Sequence, residues 1–421
     1  ILSAQQLAAI PVARGATSVA LLAPGTVRGD AAFGNLASFG GSSVAENAYY
    51  VNGFNITNAF NNLAFAQIPF EAIAEQQVKT GGYGAEFGRS TGGVVNLITR
   101  RGTNTFSAGG ALYWTPSSLS GKTPDIRLNN GDLLEDNAKD EGEQSSIALW
   151  AGGALIQDRL FVYGLLQFAR NRTDTWNDVN AGINTHARTR SPTWLLKLDW
   201  NLAQDHLLEL TSFSDTARTT QTVHTNTEGV LDRTGVLGTV HTEQGGTSHA
   251  LKYTGYLSDN FTLSALLGRG KFSRSIHGIS ANGIRQQWSG DIHAPDSGCP
   301  VVIDQRNSTL LGATPAIHGC DFIGGTLGRP DAGDTRKQFR IDAEWQLGDH
   351  QLRFGYDADR FTSVAGGAVE GGQVWNYATI DPDGVPLNDD DLDFVVNVVF
   401  KNGATVDVNQ RAFYIEDSWQ V

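Results

Sequence analysis

Methionine is absent from the whole sequence, cysteine occurs only twice, proline is scarce at 12, and cations are outnumbered, with 31 Lys and Arg against 44 Asp and Glu for a net charge of −13. With Ile at position 1 and no Met anywhere, the expectation is that the initiator and any signal peptide precede the residues shown. The acidic balance argues against nucleic acid as a partner, because a phosphate backbone wants a basic face. No run of about 18 apolar residues occurs, which excludes a transmembrane helix. It does not exclude a membrane, since a spanning strand needs only about 10 alternating residues. Catalytic signatures are missing too: no GxxxxGK[ST], no HExxH, no GxSxG, and carboxylates that sit in loops without a spacing that would fix them across a substrate. An enzyme is not expected.

What is present falls into two textures. Residues 1 to roughly 100 are irregular, with a short helix expected over Ser3 to Ile10, capped by Ser3 and stopped before Pro11. Ala45 to Asn52 and Ile73 to Thr80 read as strands, and Phe54 to Phe70 as an Asn- and Phe-rich loop, solvated or open to a ligand. From Asn104 onward the chain alternates apolar and polar residues. Phe339, Ile341, Ala343, Trp345 and Leu347 interleave with Arg340, Asp342, Glu344 and Gln346, the period of two that marks a strand with one apolar face. Ten such strands are predicted, near 104–114, 144–155, 160–170, 192–201, 207–214, 247–257, 261–272, 337–347, 351–362 and 410–421.

The connections separate this pattern from a soluble sandwich. Gln157 to Arg159, Ala203 to His206, Ser258 to Asn260 and Gly348 to His350 are tight, whereas Thr115 to Glu143, Ser273 to Asp334 and Ser363 to Val408 are long and polar. Outer-membrane barrels keep short turns at the periplasmic end and long loops outside. Trp200, Phe261 and Trp345 flank the short turns, where an aromatic girdle belongs.

Joining the two textures is VKTGGYGAEFGRSTGGVVNLITRRGTN, Val78 to Asn104, rich in glycine and ending in the β-branched run Val94 to Thr99. It resembles the end of the plug domain of TonB-dependent outer-membrane receptors through Lys79, Gly81 to Tyr83, Ala85 to Asn96, Thr99, Gly102 to Asn104 and Phe106. VALLAPGT (Val19 to Thr26) and GGSSVAENAYYVNGFNIT (Gly40 to Thr57) extend the resemblance to the Oar-like subgroup, with Arg100-Arg101 in place of the usual Lys-Ser.

The resemblance implies an all-β membrane protein: an α+β plug domain, here residues 1–102, in the lumen of a large antiparallel transmembrane β-barrel whose first ten strands occupy 103–421. A lumen that holds a folded plug needs about 22 strands, so the natural chain is expected to continue through a dozen more. The family's mechanism follows: a ligand of unknown identity binds the extracellular loops and plug apex, and TonB, with its inner-membrane energising complex, pulls the plug to open a path. The partners implied are TonB, outer-membrane lipid and that ligand, in the outer membrane of a Gram-negative bacterium, with no cofactor required. An alternative is a non-transporting surface barrel for binding, adhesion or assembly, whose loops hold surface or periplasmic partner proteins. A soluble carbohydrate-active β protein is a third, remoter reading.

Five sets of site residues are expected. By resemblance, Arg89 is the plug side of a plug–barrel latch; Glu416, on the polar face of its strand, is the candidate wall partner, while pairing of Arg89 within the plug through Glu86 or Glu75 is the plainer possibility. Gly81, Gly82, Gly88, Gly92 and Gly93 are the plug hinge. Cys299 and Cys320, 21 positions apart in the longest loop, read as an extracellular disulfide rather than a metal pair, since no familiar zinc spacing includes them. Asp381, Asp383, Asp389 and Asp391, in DPDGVPLNDDDLD, could hold Ca²⁺ or form a solvated acidic loop; the spacing lacks the Gly and terminal Glu of an EF-hand. Trp176, Trp288 and Trp375 are either ligand platforms or loop packing.

Overall fold

The computed structural model describes the chain except residues 12, 59–62, 64, 89, 128, 130, 132, 136, 177–182, 226–232, 287, 289–299, 307–315, 320–325, 386–387, 389 and 421. Near the N-terminus, Ser3 precedes helix α1 (Ala4–Ala9). Its Oγ accepts from the Gln6 N–H while the Gln6 side chain accepts from the Ser3 N–H, a reciprocal cap. The centre of the N-terminal domain is a five-stranded sheet built on β1 (Ala48–Val51), β2 (Ile73–Lys79) and β3 (Val94–Thr99). Its order is Leu2–Ser3, β2, β3, β1, Phe54–Asn55, with β3 antiparallel to β2 and parallel to β1. Val94, Val95 and Leu97 are buried in it, as a β-branched run between two neighbouring strands should be.

Residues 100–106 lead into the second domain. Its strands are β4 (Ser107–Thr115), β5 (Glu141–Ile156), β6 (Leu160–Thr175), β7 (Ile183–Ala203), β8 (His206–Ser214), β9 (Ala217–Thr225), β10 (Gly235–Gly245), β11 (Thr247–Ser258), β12 (Phe261–Ser280), β13 (Gly333–Leu347), β14 (His350–Ile380) and β15 (Leu392–Trp419). These twelve make ten staves. β8 and β9 act as one strand bent at Asp215-Thr216, and β10 and β11 as one bent at Gly246: the lower half of β7 pairs with β8 and its upper half with β9, and β12 likewise takes β11 below and β10 above. The sheet is antiparallel from β4 to β15, which are its two edges.

Side-chain alternation sets the faces. On β6, Leu165 is buried and Leu166 exposed; on β13, Arg336, Gln338 and Arg340 are buried and Phe339 exposed. The outward set includes Leu112 and Trp114, 73% and 64% exposed, with Leu267, Phe413 and Ile415. An apolar outer face of this extent marks a membrane-facing surface. Inward residues Tyr163, Leu165, Leu195, Phe213, Ala250 and Leu266 share one core with the N-terminal domain, so the sheet wraps it as a wall wraps a plug. Turns at 157–159, 204–205, 259–260 and 348–349 close one end; in the last of these Gly348 takes φ +60°, as a two-residue hairpin requires. Trp200 and Trp345 lie exposed beside these turns, with Phe261 edge-on to Trp345.

Two sequence expectations change. The connection expected over Ser363 to Val408 is mostly strand: β14 runs on to Ile380 and β15 begins at Leu392. A register shift between Ala368 and Gln373, with Gly371 and Gly372 at positive φ, carries the pair past a bulge that hides the alternation. The β9–β10 extension also departs from the expectation, because its Thr-rich strands stand beyond the apolar band and bury only a small apolar cluster, Val223 and Val240 with Leu327. Among the described residues no helix is long and apolar enough to cross a membrane, which says nothing of a barrel.

Candidate functional site: the plug–wall interface

In the stretch expected as a loop, solvated or open to a ligand, Phe54, Asn55, Ile56, Thr57, Phe65 and Ile68 are buried at the apex of the plug, while Gln67 is exposed. Wall residues satisfy its backbone. Arg336 Nη1 donates to the Asn55 and Thr57 carbonyl oxygens at 2.9 and 2.7 Å and to Asn55 Oδ1 at 3.0 Å. Its Nε pairs with Asp359 at 3.2 Å, both groups being buried. The Asn55 N–H donates to Gln338 Oε1 at 3.0 Å, and Asn58 Nδ2 to Asp334 Oδ2 at 2.9 Å, a carboxylate also bound by Arg274. Phe54 lies flat on the wall where Gly268 leaves room; a Cβ there would collide with its ring. Deeper in the plug, Tyr49 stacks on Phe65 at 3.9 Å, and burial pushes its phenol up to about 12.

A second grip sits at the bend of the wall. Asp215 accepts from the plug's Gln67 N–H at 2.8 Å and from the Gly246 N–H at 2.8 Å. One carboxylate therefore closes the bend between the two kinked staves and holds the plug beneath it. On another side, Asn52 Nδ2 donates to Thr211 Oγ1 of β8 at 2.9 Å, and Tyr163 OH of β6 to the Glu71 carbonyl at 3.3 Å. Glu71 is paired with Arg14 at 2.7 Å, whose guanidinium lies between the rings of Phe70 and Tyr113.

The third contact is at the turn end. Glu416 Oε2, on the inner face of β15, accepts from the Ala85 N–H at 2.8 Å, at the start of the 3₁₀ turn Ala85–Phe87. Arg89 lies outside the described residues. Within the plug Glu86 stands 3.8 Å from Lys79, and Glu75 accepts from Gln77 at 2.7 Å. Gly82 takes φ +61°, and Gly93 is packed so that a Cβ would meet the Phe39 ring. A Cβ on Gly92 would meet Asn47 and Ser42, whereas Gly81 and Gly88 have open space around them. Between Glu86, Phe87 and the wall's Arg340, Arg353 and Tyr414 lies a polar cavity of about 250 Å³.

Cys299 and Cys320 lie outside the described residues, as does Asp389. Asp381 Oδ1 accepts from the Gly384 N–H at 2.6 Å, Asp383 from Val385 N–H at 2.8 Å, and Asp391 from Asn388 N–H at 3.1 Å. These three carboxylates act as turn caps, and among the described residues no three metal-ligating side chains cluster. Trp176 carries Arg233 on its face at 4.2 Å; Trp288 is buried against Gly366 and Gly403. Sequence reasoning missed Arg336, Asp359, Asp334 and Asp215. The available signal was charge on the polar face of otherwise apolar-alternating strands.

A plug seated in a wall that is apolar outside and carries buried charged groups beside apolar ones within defines the plugged outer-membrane barrels. The chain belongs to the TonB-dependent receptors of the Gram-negative outer membrane: residues 1–95 match the TonB-dependent Receptor Plug Domain and residues 165–421 the Outer membrane beta barrel domain. It is similar to the "TonB-dependent transporter Oar" of Myxococcus xanthus, 29% identical over 282 residues that cover 58% of this chain and 26% of that protein. In fold it is similar to the outer membrane transporter YddB from Escherichia coli (TM-score 0.63, 14% identity, 99% of this chain and 54% of that one). It is also similar to the copper transporter OprC (TM-score 0.51, 9% identity, 97% and 58%). The chain thus spans 26% of the curated relative's length and about half of each solved transporter's.

Proposed function

We propose that the chain is the plug and leading staves of a TonB-dependent transporter that takes a ligand at its extracellular side and passes it through the lumen when TonB pulls on the plug. The observation that carries this reading is the set of polar grips by which the wall holds the plug, beside the apolar seam made by Leu165, Leu195, Phe213 and Leu266. Arg336, Asp334, Asp215 and Glu416 hold the plug through hydrogen bonds to its backbone and amides, and water can replace such bonds at small net cost when the plug shifts. Gly81, Gly82 and Gly88, with open surroundings, supply the give, and Arg89 with Glu416 forms the latch. Energy enters from the inner membrane, so the protein needs no nucleotide site.

The test is a reversible tether. Ala85→Cys with Glu416→Cys, oxidised in the full-length receptor in cells, should block TonB-dependent uptake while leaving surface binding of the ligand intact, and reduction should restore uptake. Uptake that persists with the tether closed, or that is indifferent to loss of TonB, would sink the transporter reading in favour of a static binding barrel.

A further inference from the structure

Two histidines meet on the outer side of the wall. His241 on β10 is the register partner of His277 on β12, and their rings lie nearly parallel, 18° between planes and 5.0 Å between centroids. Their chain neighbours Val240 and Ile276 turn to the other face, into the small apolar cluster with Val223 and Leu327. Arg274, on the same face as Ile276, reaches Asp334 beside the plug. Alternation therefore points both imidazoles away from the lumen. His277 is 16 residues beyond Phe261 at the turn end (277 − 261), a rise of ~40 Å at ~3.3 Å per residue and ~40° tilt. An apolar band about 25 Å tall ends below that height.

The surroundings of the pair are the second observation. His241 lies between two hydroxyls, its Nδ1 3.3 Å from Thr220 Oγ1 and its Nε2 3.2 Å from Thr239 Oγ1. Whichever nitrogen gives its lone pair to a metal ion, the other keeps an oxygen to which its N–H donates. That outer partner fixes tautomer and ring direction in metal-ligating histidines. An imidazole of ordinary pKa, about 6.5, is mostly neutral at pH 7, and burial, then Arg285 and His241, push that of His277 lower still. Nearby charge is mixed. Arg285 stands on the short strand that pairs with the end of β12, while Glu243, two positions from His241 and on its face, pairs with Arg218 at 2.8 Å.

We infer that His241 and His277 together bind one late first-row transition-metal ion, through one ring nitrogen each, with water completing the coordination. Imidazole suits such ions, Cu²⁺ most strongly and Zn²⁺ less, whereas Ca²⁺ and Mg²⁺ take carboxylate and carbonyl oxygens. Metal–nitrogen bonds of ~2.0–2.1 Å need the two nitrogens ~3 Å apart, an approach that a tilt of one half-buried ring supplies. Outside the lumen the ion is off the transport path; it fastens β10 to β12 within the extension. The inference rests on the fold of the wall, not on transport, so its failure leaves the uptake test untouched.

The experiment titrates Cu²⁺, Zn²⁺ and Ca²⁺ into the full-length receptor in neutral detergent and reads bound Cu²⁺ by electron paramagnetic resonance. Wild-type receptor should hold Cu²⁺ with two imidazole nitrogens in its coordination plane, release it slowly to excess Zn²⁺, and keep it in millimolar Ca²⁺. H277F preserves a stacked ring and removes the ligand. It should weaken Cu²⁺ binding by about tenfold or more, at least the cost of losing an outer-shell partner, and so should H241F; H350Q at the turn end should not. A spectrum with a single nitrogen, unchanged affinity in H277F and H241F, or displacement by Ca²⁺ would each overturn the inference. The nitrogen count is read in the wild type, so it decides the matter even where a variant fails to fold.

Discussion

Arg336 in the wall and Asn55 in the plug are 281 positions apart, and one guanidinium nitrogen reaches both the carbonyl and the side-chain oxygen of Asn55, at 2.9 and 3.0 Å. The same side chain is ion-paired with Asp359. Arg336→Ala therefore removes a support of the apex and strips a buried carboxylate of this counter-ion. Such losses cost about 3–5 kcal/mol. Unfolding of the full receptor in detergent, followed by proteolysis at the plug, reads it; a change within about 1 kcal/mol would mean the apex is held by other contacts.

Glu416 and Arg89 are the proposed latch, and a double-mutant cycle isolates their coupling. Glu416→Ala alone loses the Ala85 N–H bond and is expected to cost about 1 kcal/mol. If Arg89 engages the same carboxylate, Arg89→Ala and the double variant will be non-additive by about 1–3 kcal/mol. Strict additivity would leave Glu416 as a cap on Ala85 and nothing more.

The cysteine pair can be tested from its neighbours. Val301 pairs with Gly319 at the head of an antiparallel ladder that runs to Asp304 and Ala316; in the sequence Cys299 stands two positions before Val301 and Cys320 directly after Gly319. Thiol titration of the denatured, unreduced receptor should find no free thiol, and Cys299→Ser should release one. Loss of the bridge is expected to cost about 3 kcal/mol of loop stability in the chain-entropy model. Two free thiols in the wild type would refute the pairing.

Asp174, at the outer end of β6, predicts a pH dependence. Burial raises its pKa, but hydrogen bonds and charge from His186 and Arg233, each at 2.8 Å, outweigh that and hold it below the usual carboxylate range. A depressed native pKa stabilises above the unfolded value, about 3.9, and the contribution is lost as pH falls through the native value. Asp174→Asn should loosen the outer half of β7 and the β9–β10 extension by about 1–3 kcal/mol at neutral pH, read by amide exchange. The difference from wild type should shrink below the unfolded pKa and vanish only below the depressed native one; a gap that persisted there would assign the effect to packing.

How far the sequence could be read depended on where each residue sits relative to the lipid. In the staves, lipid on one side and a polar lumen on the other force strict alternation, so strands such as β13 and the tight turns at 204–205 and 348–349 were legible. Ser3 and Pro11 bracketed α1 for purely local reasons. Above the membrane the outer faces meet water instead of lipid and only a few apolar side chains such as Val223, Val240 and Leu327 are buried, so β9, β10 and the outer ends of β14 and β15 lost the apolar signature. The site was half-legible. Glu416 was singled out, and it touches the plug at Ala85; the residues around Arg336 were seen only as a polar face. Their partners lie some 280 positions away, a relation that spacing cannot carry.

The connection between plug and wall has a mechanical consequence. Asn104 and Asp158 clasp each other, side chain to side chain at 2.5 Å and Asp158 N–H to Asn104 Oδ1 at 2.8 Å, and a Cβ on Gly102 would strike the backbone of Gly153 and Val162. That end of the plug is moored. The other end is a strand of two rungs, Leu2 with Gln76 and Ser3 with Glu75, at the sheet edge. On the proposed mechanism a load arriving from the N-terminal side would part those two rungs before the sheet of β2, β3 and β1. Under the proposed pull the plug would yield like a zip fastened at its base: opening would be graded, and the fabric would stay attached to the frame.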